Sequence, residues 1–431
     1  MAEMSPSEKL AAVKARGKHP VSNNFFETFE FELDEFQIKG CYAIESGKGV
    51  LVAAPTGAGK TIVGEFAAYL AIAQGKKCFY TTPIKALSNQ KYQEFVDRFG
   101  EEKVGLLTGD NSINSEAEIM VMTTEVLRNM LYTNSSTLLN LGYVVMDEVH
   151  YLADKFRGAV WEEVLIHLME SVQVISLSAT VSNAEEFGEW LGEVRGATEV
   201  IVSEIRPIPL YQHVLIGDRM IDLFSEPTRV NPEILAAERE AMRRSKVPRH
   251  RRERFSENES RLSRADIVEK LQRENLLPAI TFIFSRAGCD AAVKQCLNEG
   301  VKLTTTEERI EIVATAQRYT QNLAEEDLEI LGYRDWMTAL ERGIAAHHAG
   351  LLPSFKEAVE DLFKRGLVKA VFATETLALG INMPARTVVL EKLTKWNGEA
   401  HVSITPGEYT QLTGRAGRRG LARGRLRSGV G

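Results

Sequence analysis

Cysteine is scarce in this 431-residue chain, and the chain has no apolar run long enough to span a membrane. Its four cysteines, Cys41, Cys78, Cys289 and Cys296, have no cysteine or histidine partners at metal-binding spacing. This spacing therefore predicts that the cysteines are reduced thiols and form neither disulfides nor a zinc site. Apolar stretches such as FAAYLAIA are too short to cross a bilayer, and the polar N-terminus lacks the apolar segment of a signal peptide. We expect a cytoplasmic protein without a membrane partner.

The charge balance limits how the chain could bind a polyanion. Its formal net charge is −7 at pH 7, so nucleic acid would have to meet a local basic surface. Residues 239–254 form the most basic block, with eight Lys and Arg against two Glu. A block of this kind is more often a solvated helix or loop than a dedicated nucleic-acid site. Charge alone therefore neither requires nor excludes nucleic acid.

Two series of short apolar runs alternate with helical patterns. The first series is GVLVAAP, KCFYTT, IMVMTT, YVVMDE and VQVISLSAT, and the second is AITFIFS, KAVFATE and TVVLE. Apolar runs of this length without alternation are typical of parallel strands that are buried on both faces. They predict two α/β domains in tandem, each a mainly parallel sheet with helices on both faces. The expected division is an N-terminal arm (1–24), a first domain (25–205), a linker with the basic insertion (206–275), a second domain (276–420) and a disordered tail (421–431).

A glycine-rich turn, VLVAAPTGAGKT, connects a predicted strand to a predicted helix. Gly57 and Gly59 would let backbone amides close around a phosphate, Lys60 would reach the terminal phosphates of ATP, and Thr61 would ligate Mg²⁺. The intervening residues of this nucleotide-binding loop are Thr56 and Ala58. Alanine replaces the first glycine of the strict P-loop pattern at residue 54. An ordinary strand-to-helix connection is the alternative interpretation.

Two acidic residues follow another predicted strand in YVVMDEVHYL. Ligand groups collect at the carboxyl ends of parallel strands, so Asp147 would hold the Mg²⁺ of the nucleotide there. Glu148 would orient and deprotonate the attacking water. Acidic residues at strand ends can instead be helix caps, but a P-loop earlier in the chain favours an NTP site.

Hydrolysis at a P-loop needs positive charge near the departing γ-phosphate, often from an arginine of a neighbouring domain. QLTGRAGR in the second domain offers Gln411, Arg415 and Arg418. If the two arginines lie on one helical turn, their spacing of three places them on the same side. We predict that Gln411, Arg415 and Arg418 all contribute to catalysis.

The ordered set of motifs resembles the superkiller-like, exosome-associated RNA helicases, which are DExH-box proteins of superfamily 2, and their bacterial members. The resemblance rests on FELDEFQ, APTGAGKT, TTPIKALSNQKY, MDEVHYL, SLSAT, HHAGLLP, FATETLALGINMPARTVV and TPGEYTQLTGRAGRRG, and it covers residues 25 to 420. It implies two RecA-like domains with ATP and Mg²⁺ between them. It also implies that Gln37 hydrogen-bonds adenine, that Phe31 stacks on it, and that Gly380 and Asn382 face the nucleotide. Phe31 could instead be core, because FEFELDEF also alternates like a strand.

The resemblance also implies residues that grip a single nucleic-acid strand through sequence-independent contacts. These residues are Pro83, Lys85, Gly109, Thr124, Ser285 and Thr374. Another three residues would couple the ATP state to this grip: His150, Ser178 and Thr180. The turn signal at Asn397-Gly398 predicts a hairpin. The resemblance implies that this hairpin separates duplex strands, and an ordinary surface hairpin is the alternative. Zinc at His347 and His348 is not expected, because adjacent side chains diverge and no third ligand is near in sequence.

The function implied is that of an ATP-dependent helicase or translocase on RNA, moving 3′ to 5′ as a monomer. The preference for RNA over DNA and an exosome-like nuclease partner rest on kinship alone. The alternatives are a repair-type DNA helicase, or a nucleic-acid-stimulated ATPase core or clamp that does not unwind. The second alternative arises because the family normally continues into further domains after the glycine–arginine motif. We therefore expect a C-terminal truncation in this chain.

Overall fold

The computed structural model describes residues 17–153, 158–179, 184–206, 209–216, 219–226, 229–245, 262–375, 377, 383, 385–396 and 400–417. By its backbone contacts the chain divides into two compact units. The first unit contains the described residues up to 206 together with Thr405–Gly414, and the second contains the other described residues. Among the described residues, no helix is long and apolar enough to span a bilayer.

The first unit is built on an eight-stranded sheet. Its strands are β1 (Gly49–Ala53), β2 (Lys77–Thr82), β3 (Val104–Leu107), β4 (Ser112–Ile113), β5 (Ile119–Thr123), β6 (Leu141–Met146), β7 (Gln173–Ser178) and β8 (Thr198–Val202). They are ordered β4-β3-β5-β2-β6-β7-β1-β8. All neighbours are parallel except β4, which runs antiparallel to β3. A mainly parallel sheet requires crossover connections, and helices supply most of them.

Helices cover both faces of this sheet, and each face has its own apolar core. The α-helices of the first unit are Pro20–Phe26, Glu35–Glu45, Thr61–Ala73, Lys85–Phe99, Thr124–Tyr132, Gly158–His167, Ala184–Arg195 and Pro406–Thr413. Successive strand residues point to opposite faces, so Tyr80 lies in one core and Phe79 in the other. Phe25 and Phe66 fill the first core, and Trp161 fills the second. Burial on both faces explains the nearly continuous apolar sequence of these strands.

The second unit is built on a four-stranded parallel sheet, whose strands are β13 (Ala279–Phe282), β14 (Ile344–His347), β15 (Ala370–Ala373) and β16 (Thr387–Leu390). They are ordered β14-β15-β13-β16. The α-helices of the second unit are Pro232–Ser245, Arg264–Arg273, Arg286–Asn298, Thr306–Thr320, Glu325–Ile330, Tyr333–Glu341 and Pro353–Lys364. Its described residues also form antiparallel pairs: β9 (His213–Ile216) with β10 (Arg219–Asp222), β11 (Phe224–Glu226) with β12 (Arg229–Val230), and β17 (Thr394–Trp396) with β18 (His401–Ser403).

The expected fold class is confirmed, because both units are α/β with mainly parallel sheets. The strands expected on either side of Asn397-Gly398 pair as a hairpin, with Trp396 opposite His401, although residues 397–399 lie outside the described part. Residues 1–16, most of the basic block and the tail 421–431 also lie outside it. The strand-like alternation of FEFELDEF does not produce a strand, since residues 31–34 are irregular.

Candidate active site

Most of the sequence motifs of the first unit lie at the carboxyl ends of its parallel strands; Gln37 and Gln411 lie instead on helices. The glycine-rich loop follows β1, Asp147 follows β6, and Ser178 ends β7, and these three strands are adjacent in the sheet. The motifs expected to grip nucleic acid follow β2, β3 and β5, which form the other half of the same edge. Carboxyl ends of parallel strands are where α/β proteins place their ligand sites.

The glycine-rich loop has the backbone that a phosphate-binding turn requires. Gly57 and Gly59 have φ values of +83° and +86°, which glycine adopts without a steric penalty. Helix Thr61–Ala73 begins directly after Lys60, so its free amide groups face the loop. Ala54, the departure from the strict motif, is fully buried in the core. Its N–H donates to the carbonyl of Ser178 at 3.1 Å, so alanine fits the start of the loop.

Gln37 is buried against the glycine-rich loop. Its Nε2 donates to the Gly59 carbonyl at 2.9 Å and to the Ala58 carbonyl at 3.4 Å, while its Oε1 accepts from the Asp34 N–H at 2.8 Å. The side chain therefore caps the helix Glu35–Glu45 and ties it to the loop. Phe31 is 37% exposed and packs edge-on against Phe29 at a centroid distance of 5.3 Å. It is therefore not a core residue.

Asp147 is a buried carboxylate held by two donors. The Tyr80 hydroxyl donates to its Oδ2 at 2.7 Å, and the Glu148 N–H donates to its Oδ1 at 2.9 Å. Burial foremost, and then the nearby Glu148 carboxylate, raise the pKa of Asp147 to about 6, although Lys91, Lys60 and the Tyr80 hydrogen bond oppose the rise. A carboxylate destabilised by desolvation is a group that a cation would stabilise.

Glu148 adopts an unusual backbone conformation beside the P-loop lysine. Its φ of 55° lies in the left-handed region, which a glutamate rarely occupies. Strained backbone of this kind clusters at functional sites. Its Oε2 lies 4.0 Å from the Nζ of Lys60 and 3.4 Å from the Nδ1 of His150. The lysine and the carboxylate expected to act on the same phosphate are thus brought together.

His150 connects Glu148 to the motif QLTG, whose helix belongs to the first unit by its contacts. The Gln411 amide nitrogen hydrogen-bonds the Nε2 of His150. Burial lowers the pKa of His150, and the Lys60 charge lowers it further, whereas Glu148 raises it. At the end of the same helix, a Cβ at Gly414 would lie 2.9 Å from the Cβ of Thr56. Gln411 and Gly414 therefore contact two motifs of the nucleotide site.

The helical placement expected for the arginines is wrong for Arg415. Helix Pro406–Thr413 ends at Thr413 with Gly414 as its C-cap, and Gly417 has a φ of +69°. Arg415 therefore follows the helix; its carbonyl accepts from the Ala385 N–H at 3.0 Å, and only 6% of its surface is exposed. The helix therefore ends at its glycine C-cap, before Arg415. Four expected site residues lie outside the described part of the chain: Thr180, Gly380, Asn382 and Arg418.

The residues expected to contact nucleic acid in the first unit differ in accessibility. Lys85 begins helix Lys85–Phe99 and forms a close ion pair with Asp110, beside the exposed Gly109. Pro83 is buried, and Thr124 is 1% exposed with its hydroxyl donating to the Thr82 carbonyl at 3.3 Å. Of these residues, Lys85 and Gly109 lie at the surface.

Two further expected contacts lie together in the second unit. Ser285 is exposed and caps helix Arg286–Asn298, accepting from the Gly288 N–H at 3.2 Å. Thr374 follows β15, which is the neighbour of β13, and the Ile283 N–H bonds Ala373 at 2.8 Å. Ser285 and Thr374 therefore follow the carboxyl ends of adjacent strands.

The paired histidines each bind a carboxylate. His347 Nε2 lies 2.9 Å from Glu360, and His348 Nε2 lies 3.0 Å from Asp290. His348 Nδ1 accepts from the Gly350 N–H at 3.1 Å. Within the described residues, no group of three or more His, Cys, Asp or Glu side chains could hold a metal ion by itself.

Sequence reasoning missed two buried polar residues beside Asp147. Tyr80 is fully buried in β2, and Lys91 is 7% exposed with its Nζ 5.5 Å from the Tyr80 ring centroid. Lys91 pairs with Glu94 at 2.5 Å. In KCFYTT, Tyr80 fits the pattern of an apolar strand residue, and only its hydroxyl indicates a polar partner.

The fold and the motif geometry define a two-domain P-loop protein of the helicase type. Residues 34–187 match the family model for the DEAD/DEAH box helicases, and residues 291–420 match the model for the helicase conserved C-terminal domain. Together these matches cover about two thirds of the chain.

Comparison with curated relatives identifies the helicase family more closely than the two domain models do. The chain is 59% identical over 411 residues to "Probable helicase HelY" of Mycobacterium leprae, covering 92% of this chain and 45% of that protein. It is 42% identical over 438 residues to the "DExH-box ATP-dependent RNA helicase DExH15 chloroplastic" of Arabidopsis thaliana, covering 91% of this chain and 36% of that protein. It is 40% identical over 440 residues to the human "Superkiller complex protein 2", covering 96% of this chain and 35% of that protein. The chain belongs to the superkiller-like DExH-box helicases of superfamily 2, and it spans less than half the length of these relatives.

Proposed function

We propose that this chain is the motor of an ATP-dependent helicase that translocates 3′ to 5′ on single-stranded RNA. The observation that carries the proposal is the strand order of the first sheet. It collects the glycine-rich loop, Asp147 and Ser178 on one half of an edge, and the loops after β2, β3 and β5 on the other half. A nucleotide and a nucleic-acid strand can therefore bind side by side on one rigid sheet.

The hydrolytic half contains groups suited to in-line attack of water on a γ-phosphate. Lys60 and the loop amides would bind the phosphates, and Glu148 would orient the attacking water and accept its proton. Thr61 and Asp147 would hold Mg²⁺, which neutralises phosphate charge when bound with the nucleotide. The buried carboxylate of Asp147 fits that role, because its pKa is raised by a desolvation that a cation would relieve. Arg415 and Arg418 would stabilise charge on the departing phosphate.

Three residues are proposed to transmit the nucleotide state. His150 lies between Glu148 and Gln411, so a change at the γ-phosphate would alter both its contacts. Ser178 joins the strand end of SLSAT to the start of the glycine-rich loop through its carbonyl. Thr180 is proposed as the third coupling residue by kinship.

The nucleic-acid half would bind mainly phosphate and sugar. Lys85, Gly109, Pro83 and Thr124 are proposed for the first domain, and Ser285 and Thr374 for the second. Gln37 and Phe31 are proposed to bind adenine, and Gly380 and Asn382 are proposed to face the nucleotide. RNA is favoured because the Arabidopsis relative is named an RNA helicase. A monomer in the cytoplasm with an exosome-like nuclease partner is proposed by kinship alone.

The test is ATP hydrolysis by the purified chain with matched single-stranded RNA and DNA. We expect greater stimulation by RNA, and loss of stimulated hydrolysis in Lys60→Ala, Glu148→Gln and Arg418→Ala. Glu199→Gln, an exposed carboxylate on β8 at the opposite end of the strands, is the control for the loss of one negative charge. Wild-type turnover in Glu148→Gln would overturn the assignment of the base, and equal stimulation by DNA would remove the preference for RNA.

A second candidate is an ATPase core that does not unwind a duplex. It rests on the first sheet, which by itself collects the glycine-rich loop, Asp147 and Ser178 and so accounts for hydrolysis without accounting for strand separation. Measuring hydrolysis and duplex unwinding on the same preparation separates the two, since an ATPase core would hydrolyse ATP without separating strands.

A further inference from the structure

We propose that Tyr80 is a positioning residue for the site, which uses its hydroxyl to fix the Asp147 carboxylate in the orientation that receives the divalent metal accompanying the nucleotide. The inference rests on the proposed function and adds to it a residue that lies outside the glycine-rich and acidic motifs.

The position of Tyr80 follows from the register of two neighbouring strands. β2 and β6 run parallel, and Tyr80 lies opposite Val145, two residues before Asp147. From there the Tyr80 side chain reaches past the end of β6, where its hydroxyl meets Oδ2 of Asp147 at 2.7 Å. The other carboxylate oxygen accepts the Glu148 N–H at 2.9 Å. One donor on each oxygen fixes both the position and the plane of the carboxylate, and each oxygen keeps a further lone pair for a ligand.

Tyr80 is itself held in place by its surroundings. Its ring meets Phe95 edge-on at 5.1 Å, and the Nζ of Lys91 lies 5.5 Å from the ring centroid. A buried hydroxyl costs free energy unless it is hydrogen-bonded, and Asp147 is the partner that satisfies this one.

Fixing this carboxylate matters because Mg²⁺ demands nearly ideal octahedral geometry. Residues that orient a metal ligand typically change metal affinity by about 10- to 100-fold when they are removed. Phenylalanine at residue 80 would keep the ring packing and remove only the donor, so Asp147 would be left with one fixed oxygen. We therefore expect weaker metal binding without loss of the fold.

The experiment measures ADP affinity by calorimetry in excess EDTA and in excess Mg²⁺, which reports metal binding without requiring turnover. We expect Tyr80→Phe to bind ADP like the wild type in EDTA, and to lose about 10-fold of the gain in affinity that Mg²⁺ gives. Asp147→Asn should lose most of that gain. Tyr143→Phe is the matched control, since Tyr143 is a buried tyrosine of β6 whose hydroxyl donates to Gln74 at 2.8 Å.

The outcomes separate this inference from the proposed function. If the wild-type chain does not bind ADP, or Mg²⁺ does not change its affinity, the proposed nucleotide site fails. If Asp147→Asn loses the Mg²⁺ effect while Tyr80→Phe keeps it as fully as Tyr143→Phe, the positioning role is overturned. If Tyr80→Phe weakens ADP binding equally in EDTA and Mg²⁺, its effect is general, and the role in metal binding is overturned as well.

Discussion

Gln411 and His150 are joined by a side-chain hydrogen bond in which the amide nitrogen of Gln411 meets the Nε2 of His150. An amide nitrogen only donates, so His150 accepts and its ring proton resides on Nδ1. That nitrogen lies 3.4 Å from the Glu148 carboxylate. Burial lowers the pKa of His150, which keeps the ring neutral at pH 7 as this arrangement requires. The proposed base is therefore connected through one imidazole to the motif QLTG.

Replacing Gln411 with alanine should slow ATP hydrolysis without preventing nucleotide binding. The imidazole would lose the donor that fixes its tautomer and orientation, and a displaced base can cost about 10- to 100-fold in rate. We expect the ADP affinity to stay within about two-fold of wild type, because Gln411 is not placed on the phosphate-binding loop. Gln93→Ala, on an exposed helix face where Gln93 binds Asp97, is the control. Unchanged hydrolysis in Gln411→Ala would contradict the coupling role of His150.

Replacing Asp147 with asparagine should stabilise the ligand-free chain while abolishing hydrolysis. The pKa of Asp147 is raised to about 6 in the folded chain, so the folded state binds its proton more readily than the unfolded state. The free energy of unfolding therefore falls as the pH rises from about 4 to about 6. Above pH 7, removing the buried charge should raise the free energy of unfolding by ~1–3 kcal/mol.

Chemical unfolding of wild type and Asp147→Asn at several pH values, in EDTA, tests this prediction. The difference in unfolding free energy should be largest above pH 7 and should vanish below about pH 3, where the aspartate is mostly protonated in both states. A variant that is less stable than wild type at pH 7.5 would show that the ionised carboxylate is not costly here.

Replacing Asp110 with asparagine should strengthen binding to single-stranded RNA. Lys85 forms an exposed ion pair with Asp110, and this pair must open before Lys85 can meet a phosphate. Exposed pairs contribute ~0.2–1 kcal/mol, so binding should tighten by about 1.4- to five-fold. Lys85→Ala should weaken binding. The slope of log affinity against log salt concentration should fall by about one, which corresponds to the loss of one phosphate contact.

Fluorescence anisotropy of a labelled RNA across salt concentrations measures both effects. Glu199→Gln is again the matched control, because Glu199 pairs with Lys48 at 2.8 Å on the surface and the substitution removes the same charge. If Glu199→Gln tightened binding as much as Asp110→Asn, the effect would come from net charge rather than from release of Lys85.

The sequence predicted the local parts of the site well, because strand, glycine turn and helix follow one another in the chain. Asp147 at a strand end was predictable for the same reason. The contact between Tyr80 and Asp147 was not, because it depends on the lateral register of β2 against β6, which no local pattern specifies. The helical placement predicted for Arg415 is wrong because Gly414, directly before it, ends the helix.

Replacing Gly59 with alanine should abolish tight nucleotide binding. The φ of +86° makes any side chain strained there, at a cost of about 1–2 kcal/mol, and a Cβ would lie 2.7 Å from the Nε2 of Gln37. Gln37 would have to leave the two carbonyls of the loop, so we expect ADP affinity to fall by more than about 10-fold.

Gly75→Ala separates the clash at Gly59 from backbone strain. Gly75 has a φ of +64°, and a Cβ there would meet nothing within 4 Å. Both variants should lose similar stability from the left-handed backbone, about 1–2 kcal/mol, but only Gly59→Ala should lose ADP affinity. Thermal unfolding and calorimetric ADP titration of the two proteins measure these effects. An equal loss of affinity in both would mean that general destabilisation, rather than displacement of Gln37, controls the loop.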